Sequence, residues 1–198
     1  MWRIGVTGSI ATGKSTLLAA FEKAGIPTFS ADAAVAALYE GEAVAPVEAL
    51  FPGVTQDKKI DRQELTRRLA AAPENFKKLE AVVHPLVRQK IAAFMDRAEA
   101  AGHVAAAVEV PLLFESGYDY GFDAVAVTFV DPKIQNERIM ARPGMTVEKR
   151  DALLARQMPQ DDKKKRATYL YDTARPRDEI DAEVAALVAD LKAGGAKK

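Results

Sequence analysis

Cysteine is absent from this sequence of 198 residues, and histidine occurs only at His84 and His103. The absence of cysteine excludes disulfide bonds, thiolate metal sites and a thiol nucleophile. With only two histidines, an all-histidine metal site is not expected. A chain without thiols is compatible with a reducing compartment, and we expect a cytoplasmic protein.

Net charge and long apolar runs are also missing. Lysine plus arginine total 28, the same as aspartate plus glutamate, so the overall charge gives no electrostatic attraction to nucleic acid or to an anionic membrane. No apolar run approaches the roughly 20 residues that a membrane-spanning helix needs. A predicted strand that begins at Trp2 leaves no room for a signal peptide. We therefore expect a soluble monomer or weak homo-oligomer whose partners are small molecules, with no nucleic acid and no membrane.

The most informative segment is Gly8-Ser9-Ile10-Ala11-Thr12-Gly13-Lys14-Ser15, which matches the phosphate-loop pattern G-x-x-x-x-G-K-[ST]. Small residues let backbone N–H groups approach phosphate oxygens, and Gly8 and Gly13 are expected to supply turns with positive φ. Lys14 is predicted at the β- and γ-phosphates of a nucleotide, and the Ser15 hydroxyl on Mg²⁺. The predicted nucleotide-binding residues are Gly8, Ala11, Thr12, Gly13, Lys14, Ser15 and Thr16. A chance match in a glycine-rich turn is the alternative, which a strand before the loop and a helix after it disfavour.

Alternating strand and helix patterns predict an α/β fold with a doubly wound parallel five-stranded sheet of the P-loop NTPase type. The predicted strands are residues 2–7, 26–29, 104–110, 124–130 and 169–171. The predicted helices are residues 14–23, 33–39, 44–50, 61–72 with Asp61 as cap, 73–101 with a break or kink at Pro85, 134–142, 146–158 and 177–191. Apolar residues at helical spacing define one face of the first and last helices: Leu17, Leu18 and Phe21, and Ile180, Val184, Leu187, Val188 and Leu191.

The length suits one domain, residues 1–198, with room for a small inserted subdomain. We expect a core of residues 1–30, 103–131 and 167–194, a helical lobe at about 31–102, and a lid at about 132–166. Ligands of open parallel sheets bind at the carboxyl ends of the strands, so the nucleotide is placed there. Residues 194–198 are predicted to form a disordered tail.

A phosphate loop indicates a nucleotide but not a reaction. A switch GTPase usually carries an Asn-Lys-x-Asp element, and the only asparagines, Asn75 and Asn136, are not followed by lysine. No Leu-Ser-Gly-Gly-Gln transporter signature occurs, and the chain is short for a motor domain. A small-molecule phosphotransferase is therefore the leading interpretation. A nucleoside or nucleotide kinase and a nucleotide-binding regulatory module remain as alternatives.

Asp32 is the candidate for activating the acceptor of the phosphoryl group. It lies just past the second predicted strand, and the geometry of a parallel sheet would direct it into the same crevice as Lys14. The alternative is structural, because Ser30 or Asp32 could simply cap the helix predicted from Ala33.

Several motifs together resemble the dephospho-CoA kinase family over nearly the whole length. They are the phosphate loop with Thr16, Ala31-Asp32, His84-Pro85-Leu86-Val87, Val110-Pro111-Leu112-Leu113-Phe114-Glu115, and Gln135-x-x-Arg138-x-x-x-Arg142 followed by Gln157. The combination is specific, whereas each motif alone is weak. The resemblance implies transfer of the γ-phosphoryl group of ATP to the ribose 3′-hydroxyl of dephospho-CoA, which yields ADP and coenzyme A in the last step of coenzyme A synthesis.

The resemblance also implies roles for particular residues. The implied catalytic residues are Asp32, Lys14, Arg138 and Arg142, and the implied acceptor-site residues are Asp32, His84, Pro111, Leu112 and Glu115. Ser15 and Glu109 are the residues expected at Mg²⁺. Glu109 falls near the end of a buried strand, at the acidic position of a Walker B-like element, and is expected to reach the ion through water. Arg138 and Arg142 are four apart, so they are expected on one face of a lid helix.

Structural alternatives accompany these assignments. The arginines could belong to a solvated helix face, His84 could fix the kink at Pro85, and Glu109 could be a paired core residue. Tyr118, Tyr120 and Phe122 are either an aromatic wall for the acceptor adenine or core packing. For the run Lys163-Lys164-Lys165-Arg166, a solvated face is favoured over a phosphate site.

Two departures from the family pattern stand out. Ser30 occupies the place where many members have an aspartate two before the base. Residues 167–174 replace the usual Ala-Asp and Asn-x-Gly around the last strand. The resemblance therefore does not assign the contacts to the ATP adenine.

Overall fold

The computed structural model describes residues 1–72 and 74–195. Its strands are β1 (Trp2–Gly8), β2 (Thr28–Ser30), β3 (Thr55–Gln56), β4 (Lys59–Ile60), β5 (Ala105–Glu109), β6 (Ala124–Phe129) and β7 (Tyr169–Asp172). Its helices are α1 (Lys14–Lys23), α2 (Ala31–Leu38), α3 (Val44–Leu50), α4 (Arg62–Ala71), α5 (Asn75–Ala100), α6 (Pro132–Met140), α7 (Val147–Ala155), α8 (Gln160–Lys165) and α9 (Arg177–Lys192).

Five of these strands form one parallel sheet in the order β2-β5-β1-β6-β7. β1 lies at the centre, and every residue of the adjacent β5 is buried. Parallel strands covered on both faces have continuous apolar sequences of this kind. The predicted α/β class with a parallel five-stranded sheet is confirmed, and the carboxyl ends of its strands lie at one edge.

Helices α1 and α9 bury their apolar faces in the core beside the sheet. Their buried residues join those of the central strands in one cluster, which includes Ile4, Val6, Leu17, Leu18, Phe21, Ile180, Val184, Val188 and Leu191. Full burial of each large side chain contributes about 1.5–3 kcal/mol. The helical spacing in the sequence predicted both faces correctly, except that Leu187 is only partly buried. Because α1 is packed in this way, its N-terminus is fixed directly behind the phosphate loop.

The chain forms two compact units. One contains the parallel sheet and consists of residues 1–30 and the chain from Met95 onward, and the other consists of residues 31–94. In the second unit, Asp61 caps α4 as predicted, since its side chain accepts hydrogen bonds from the backbone N–H groups of Gln63 and Glu64 at 2.9 and 3.1 Å.

A short antiparallel hairpin of β3 and β4 in this second unit was not predicted. Its turn residues, Asp57 and Lys58, both have positive φ, 49° and 63°. Turns of this conformation are usually signalled by Asn-Gly or Asp-Gly, and neither occurs here. Strands of two residues also carry too few positions to show an alternating pattern.

Helix α5 runs without interruption through Pro85, so the predicted break at this residue is wrong. Proline removes one helical hydrogen bond, but the buried stripe continues at four-residue spacing on both sides of it, at Leu79, Val83, Val87 and Ile91. That packing outweighs the lost bond. The predicted start at Pro73 lies outside the described residues.

The C-terminal end of the described chain differs from the prediction. Gly194 and Gly195 were assigned to a disordered tail, but their N–H groups donate to the carbonyl oxygens of Leu191 and Asp190 at 3.2 and 2.9 Å and close α9. Residues 196–198 of that predicted tail lie outside the described residues.

Among the described helices, none is long and apolar enough to cross a membrane.

Candidate active site

The phosphate loop connects β1 to α1 and owes its shape to close contacts around two glycines. A Cβ atom on Gly8 would lie 2.1 Å from Thr128 Oγ1, and one on Gly13 would lie 2.6 Å from Thr173 Oγ1. Gly13 also has a φ of 80°, whereas Gly8 does not have the positive φ that the sequence suggested; Ala11 has it instead, at 62°. Gly8 is therefore required by crowding, and Gly13 by both crowding and backbone conformation.

The mouth of the loop is electropositive. Lys14 Nζ donates to the carbonyl oxygens of Gly8 and Ser9 at 3.1 and 3.2 Å, which holds the ammonium group over the loop. The N-cap of α1 is Gly13, which makes no side-chain capping bond, and the first turn contains no acidic residue. Backbone N–H groups and the helix dipole at such an N-terminus favour an anion. This geometry is suited to the phosphates that the motif predicted.

Buried threonine hydroxyls fix the underside of the loop. Thr12 Oγ1 lies 2.8 Å from both the Ser9 carbonyl oxygen and Thr128 Oγ1. A hydroxyl has one proton to donate, so if Thr12 donates to Ser9, Thr128 donates to Thr12. Thr173 Oγ1 donates to the Thr12 carbonyl oxygen at 2.8 Å. The loop is thus braced from β6 and from the end of β7.

The tip of the loop is held by glutamines from the segment that was predicted to be a lid. The Ile10 N–H donates to Gln157 Oε1 at 2.8 Å, and Gln135 Nε2 donates to the Ile10 carbonyl oxygen at 2.8 Å. Gln160 Nε2 donates to Gln135 Oε1 at 2.8 Å and so fixes its amide orientation. We call Gln135, Gln157 and Gln160 the glutamine clamp. Sequence reasoning noted Gln135 and Gln157 but assigned them no role, because an amide side chain gives no sign of its partner.

The two arginines predicted for the lid are placed differently. Arg138, in the last turn of α6, donates through Nη1 and Nη2 to Thr173 Oγ1 and the Thr173 carbonyl oxygen at 3.2 and 2.9 Å. Arg142 is exposed and lies two residues past the end of α6, so the expectation that both project from one helix face is wrong. Pro143 follows Arg142 and disfavours helical geometry at that residue. Arg138 is beside the loop, whereas Arg142 is in the turn that follows.

Glu109 ends β5 and is 9% exposed. Its register partners are Val6 of β1 and Ser30 of β2, and Ser30 Oγ donates to Glu109 Oε2 at 2.8 Å. The carboxylate is therefore held at the carboxyl edge of the sheet by a neutral hydroxyl. Its predicted contact with a metal stays a prediction.

Glu115 forms an ion pair with a fully buried lysine that the sequence did not indicate. Lys163 Nζ lies 2.9 Å from Glu115 Oε1, and the side chain of Lys163 is 0% exposed. The predicted solvated face is therefore wrong for Lys163, which α8 directs inward although its neighbours in the basic run are more exposed. Burial raises the pKa of Glu115, but backbone hydrogen bonds, including one from the Met158 N–H, and the hydrogen bond and positive charge of Lys163 together outweigh burial and lower the pKa. An acceptor-site role for Glu115 stays a prediction.

The remaining predicted acceptor residues belong to two parts of the chain. Pro111 and Leu112 follow β5, where the Pro111 carbonyl oxygen accepts from Thr7 Oγ1 at 3.2 Å and Leu112 is 42% exposed. Asp32 and His84 are exposed residues of the unit formed by residues 31–94. Because α2 begins at Ala31, Asp32 lies inside the first helical turn rather than at a cap, and its carboxylate there also suits the helix dipole. The roles of these four residues stay predictions.

The aromatic residues near Tyr118 line a surface cavity. Tyr118 and Tyr120 meet edge to face at 4.7 Å, and Tyr120 stacks on Phe122 at 5.5 Å between ring centroids. Phe122 also packs against β1, since a Cβ on Gly5 would lie 2.5 Å from its ring. Phe122 therefore has the packing role, and Tyr118 is 41% exposed beside a cavity of 290 Å³.

The parallel five-stranded sheet, with a phosphate loop between its central strand and α1, defines a P-loop nucleotide-binding protein. The sequence model described as dephospho-CoA kinase (CoaE) matches residues 2–176. The chain belongs to the dephospho-CoA kinase family, and it is accordingly a kinase that uses ATP.

Individual relatives agree over nearly the whole length. A dephospho-CoA kinase of Rhizobium meliloti (strain 1021) is 48% identical over 191 residues, which cover 96% of this chain and 98% of that protein. The crystal structure of TT1252 from Thermus thermophilus has a TM-score of 0.81 at 33% identity and covers 96% of this chain and 97% of its own. Dephospho-CoA kinase from Campylobacter jejuni has a TM-score of 0.74 at 28% identity, with coverage of 97% and 98%.

Proposed function

We propose that this protein transfers the γ-phosphoryl group of ATP to the ribose 3′-hydroxyl of dephospho-CoA, giving ADP and coenzyme A. The observation that carries the proposal is an intact, braced phosphate loop in a chain that aligns over nearly its whole length with dephospho-CoA kinases. The assignment makes the reaction the final step of coenzyme A synthesis. We place the enzyme in the cytoplasm, as a monomer or weak homo-oligomer.

In the proposed transfer, the ribose 3′-oxygen forms a bond to the γ-phosphorus while the bond from that phosphorus to the β–γ bridging oxygen breaks. The bonding electron pair stays with ADP, and the proton of the hydroxyl passes to the Asp32 carboxylate. Phosphoryl transfer proceeds through a loose transition state, so catalysis consists mainly of positioning and charge stabilisation. Lys14 and Arg138 supply positive charge from the loop side, and Arg142 supplies it from the turn after α6.

Residues on the acceptor side would then bind dephospho-CoA. His84 and Asp32 belong to the unit of residues 31–94, and Pro111, Leu112 and Glu115 to the segment after β5. For Glu115 the proposal is indirect, because its carboxylate is already paired with Lys163. It would hold the segment of Pro111 and Leu112 in place for the acceptor.

Mg²⁺ fits the oxygen ligands at the carboxyl edge of the sheet. The described residues contain no group of three or more His, Cys, Asp or Glu side chains that could hold a metal. Mg²⁺ typically takes one or two protein oxygens together with phosphates and water. Ser15 in the first turn of α1 would supply one such oxygen, and Glu109 at the end of β5 would reach the ion through water. When bound, the ion neutralises charge on the β- and γ-phosphates.

Acceptor-dependent ADP formation tests this function. Coupled ADP production with Mg·ATP would be measured without acceptor and then with dephospho-CoA, AMP or adenosine. We expect ADP release to depend on dephospho-CoA and to be much slower with the other two. Equal rates with AMP would favour a nucleotide kinase, and ADP release independent of any acceptor would favour a regulatory ATPase module.

A further inference from the structure

Thr173 lies at the point where β7, the phosphate loop and α6 meet. It is the first residue after β7 and is 6% exposed. Its backbone N–H donates to the Phe129 carbonyl oxygen at 3.1 Å, which ties it to the neighbouring strand. Its side chain is therefore fixed relative to the sheet before any ligand binds.

The hydroxyl of Thr173 has a definite direction of hydrogen bonding. Its single proton is donated to the Thr12 carbonyl oxygen at 2.8 Å, so its lone pairs are left to accept, and Arg138 Nη1 donates to it at 3.2 Å. Arg138 Nη2 donates at 2.9 Å to the carbonyl oxygen of the same residue. Both terminal nitrogens of the Arg138 guanidinium thus donate to Thr173. The Thr173 hydroxyl in turn links the guanidinium to the backbone of the phosphate loop.

The methyl group of Thr173 has a separate role. Its Cγ2 would lie 2.9 Å from a Cβ atom at Gly13, so it packs closely on the N-cap glycine of α1. Valine would keep this methyl contact and lose the hydroxyl. Serine would keep the hydroxyl and lose the methyl. The two functions can therefore be separated by substitution.

We propose that Thr173 is a positioning residue that holds the Arg138 guanidinium against the phosphate loop, in place for the phosphates of ATP. A long arginine side chain loses conformational freedom when it is fixed, and Thr173 fixes it before nucleotide binds. The inference rests on the proposed function, because it assigns Arg138 to phosphoryl transfer. Thr173 itself does not contact the reacting atoms and acts through Arg138.

Three variants test the proposal with kinetics of ADP release. Thr173→Val should lower kcat/KM roughly tenfold or more, because it removes the hydrogen bond accepted from the charged Arg138 group and the one donated to the Thr12 carbonyl oxygen. Thr173→Ser should stay within about twofold of the wild type, because it keeps both the donor and the acceptor. Thr66→Val is the control, since Thr66 is an exposed residue of α4 whose hydroxyl donates to the Arg62 carbonyl oxygen, and it should leave kcat/KM unchanged.

A double-variant cycle distinguishes positioning from a purely structural role. In an Arg138→Ala background, adding Thr173→Val should cost much less than it does in the wild type, because the arginine that the hydroxyl positions is gone. An equal loss in both backgrounds would overturn the proposal and assign Thr173 to the loop or the fold. If Thr173→Val does not fold, Thr173→Ala is compared with Thr173→Ser, since both lack the methyl and differ only in the hydroxyl; equal activity of that pair would also overturn it.

The same assays show whether a negative result contradicts the proposed role of Thr173 or the proposed reaction. A wild-type protein without acceptor-dependent ADP release would contradict the proposed reaction. An active wild type with an equally active, folded Thr173→Val would contradict only the role of Thr173.

Discussion

Asp32 and Lys14 are predicted to fail in different ways when they are replaced, because one acts on the acceptor and the other on the phosphates. Asp32→Asn should lower kcat about 100-fold or more, the usual contribution of a general base, with KM for ATP nearly unchanged. Lys14→Ala should abolish measurable transfer. Initial rates with each substrate varied in turn provide both values.

Asp57→Asn is a suitable control for Asp32→Asn, because Asp57 is an exposed aspartate in the turn between β3 and β4, in the same compact unit. It should retain full activity. Wild-type turnover in Asp32→Asn would remove the assignment of Asp32 as base and return the residue to a role in the first turn of α2.

The ion pair of Lys163 and Glu115 should contribute more to the free energy of unfolding than the exposed ion pair of Lys165 and Asp162 on the same helix. Lys163→Met removes a fully buried cation from a carboxylate side chain that is 16% exposed, and it should cost about 2–4 kcal/mol of unfolding free energy, somewhat less than the loss of one partner from a fully buried pair. Lys165 pairs with Asp162 at 2.7 Å on the surface, and Lys165→Met should cost about 1 kcal/mol or less. Urea unfolding of both variants at neutral pH measures the difference; equal losses would contradict the importance of burial.

The same pair predicts an acid-dependent loss of stability. The pKa of Glu115 in the folded protein is lowered from 4.5, so its contribution is fully present above that pH and is lost as the pH falls through the lower, folded-state pKa. Glu115→Gln cannot make this contribution at any pH. The gap in unfolding free energy between wild type and Glu115→Gln should therefore narrow below pH 4.5. A gap independent of pH would contradict the ion pair.

Among the elements, α6 and the connection from α7 to α8 hold the tip of the phosphate loop through the glutamine clamp. Gln157→Leu leaves the partly buried Ile10 N–H without its acceptor, which costs about 1 kcal/mol, the lower end of the range for an unsatisfied buried donor. The loosened loop should raise KM for ATP roughly tenfold while kcat changes less. Steady-state kinetics measure this effect, with Gln56→Leu on exposed β3 as control. An unchanged KM would show that the loop holds its shape without the clamp.

The elements that the sequence predicted well are those with a strong local signal. The apolar face of α9 and the residues of β5 and β6 show clear periodicity or continuous hydrophobicity, and α3 matches its predicted bounds of 44–50. The failures have local causes. α6 ends before Arg142 because Pro143 follows, and α8 was not predicted because six mainly charged residues carry no apolar period. The hairpin of β3 and β4 was missed because its turn lacks glycine.

At the scale of the whole molecule, the phosphate-loop motif specified the position of the site because it fixes both chemistry and backbone conformation. The sequence could not show which distant side chains brace that loop, since Thr173 and Gln157 are 161 and 147 residues from their partners. Contacts between residues so far apart in the sequence leave no periodic pattern in it. The buried Lys163 shows the same limit, because a basic run on a short helix predicts solvent exposure unless its partner is known.

Assignment of the phosphorylated position tests the central claim most directly. The protein would be incubated with Mg·ATP and dephospho-CoA, and the product would be compared with coenzyme A by chromatography and mass fragmentation. We predict one added phosphoryl group on the ribose 3′-oxygen and one ADP formed for each product. A phosphoryl group at another position, or ADP formed without any phosphorylated dephospho-CoA, would contradict the proposed function.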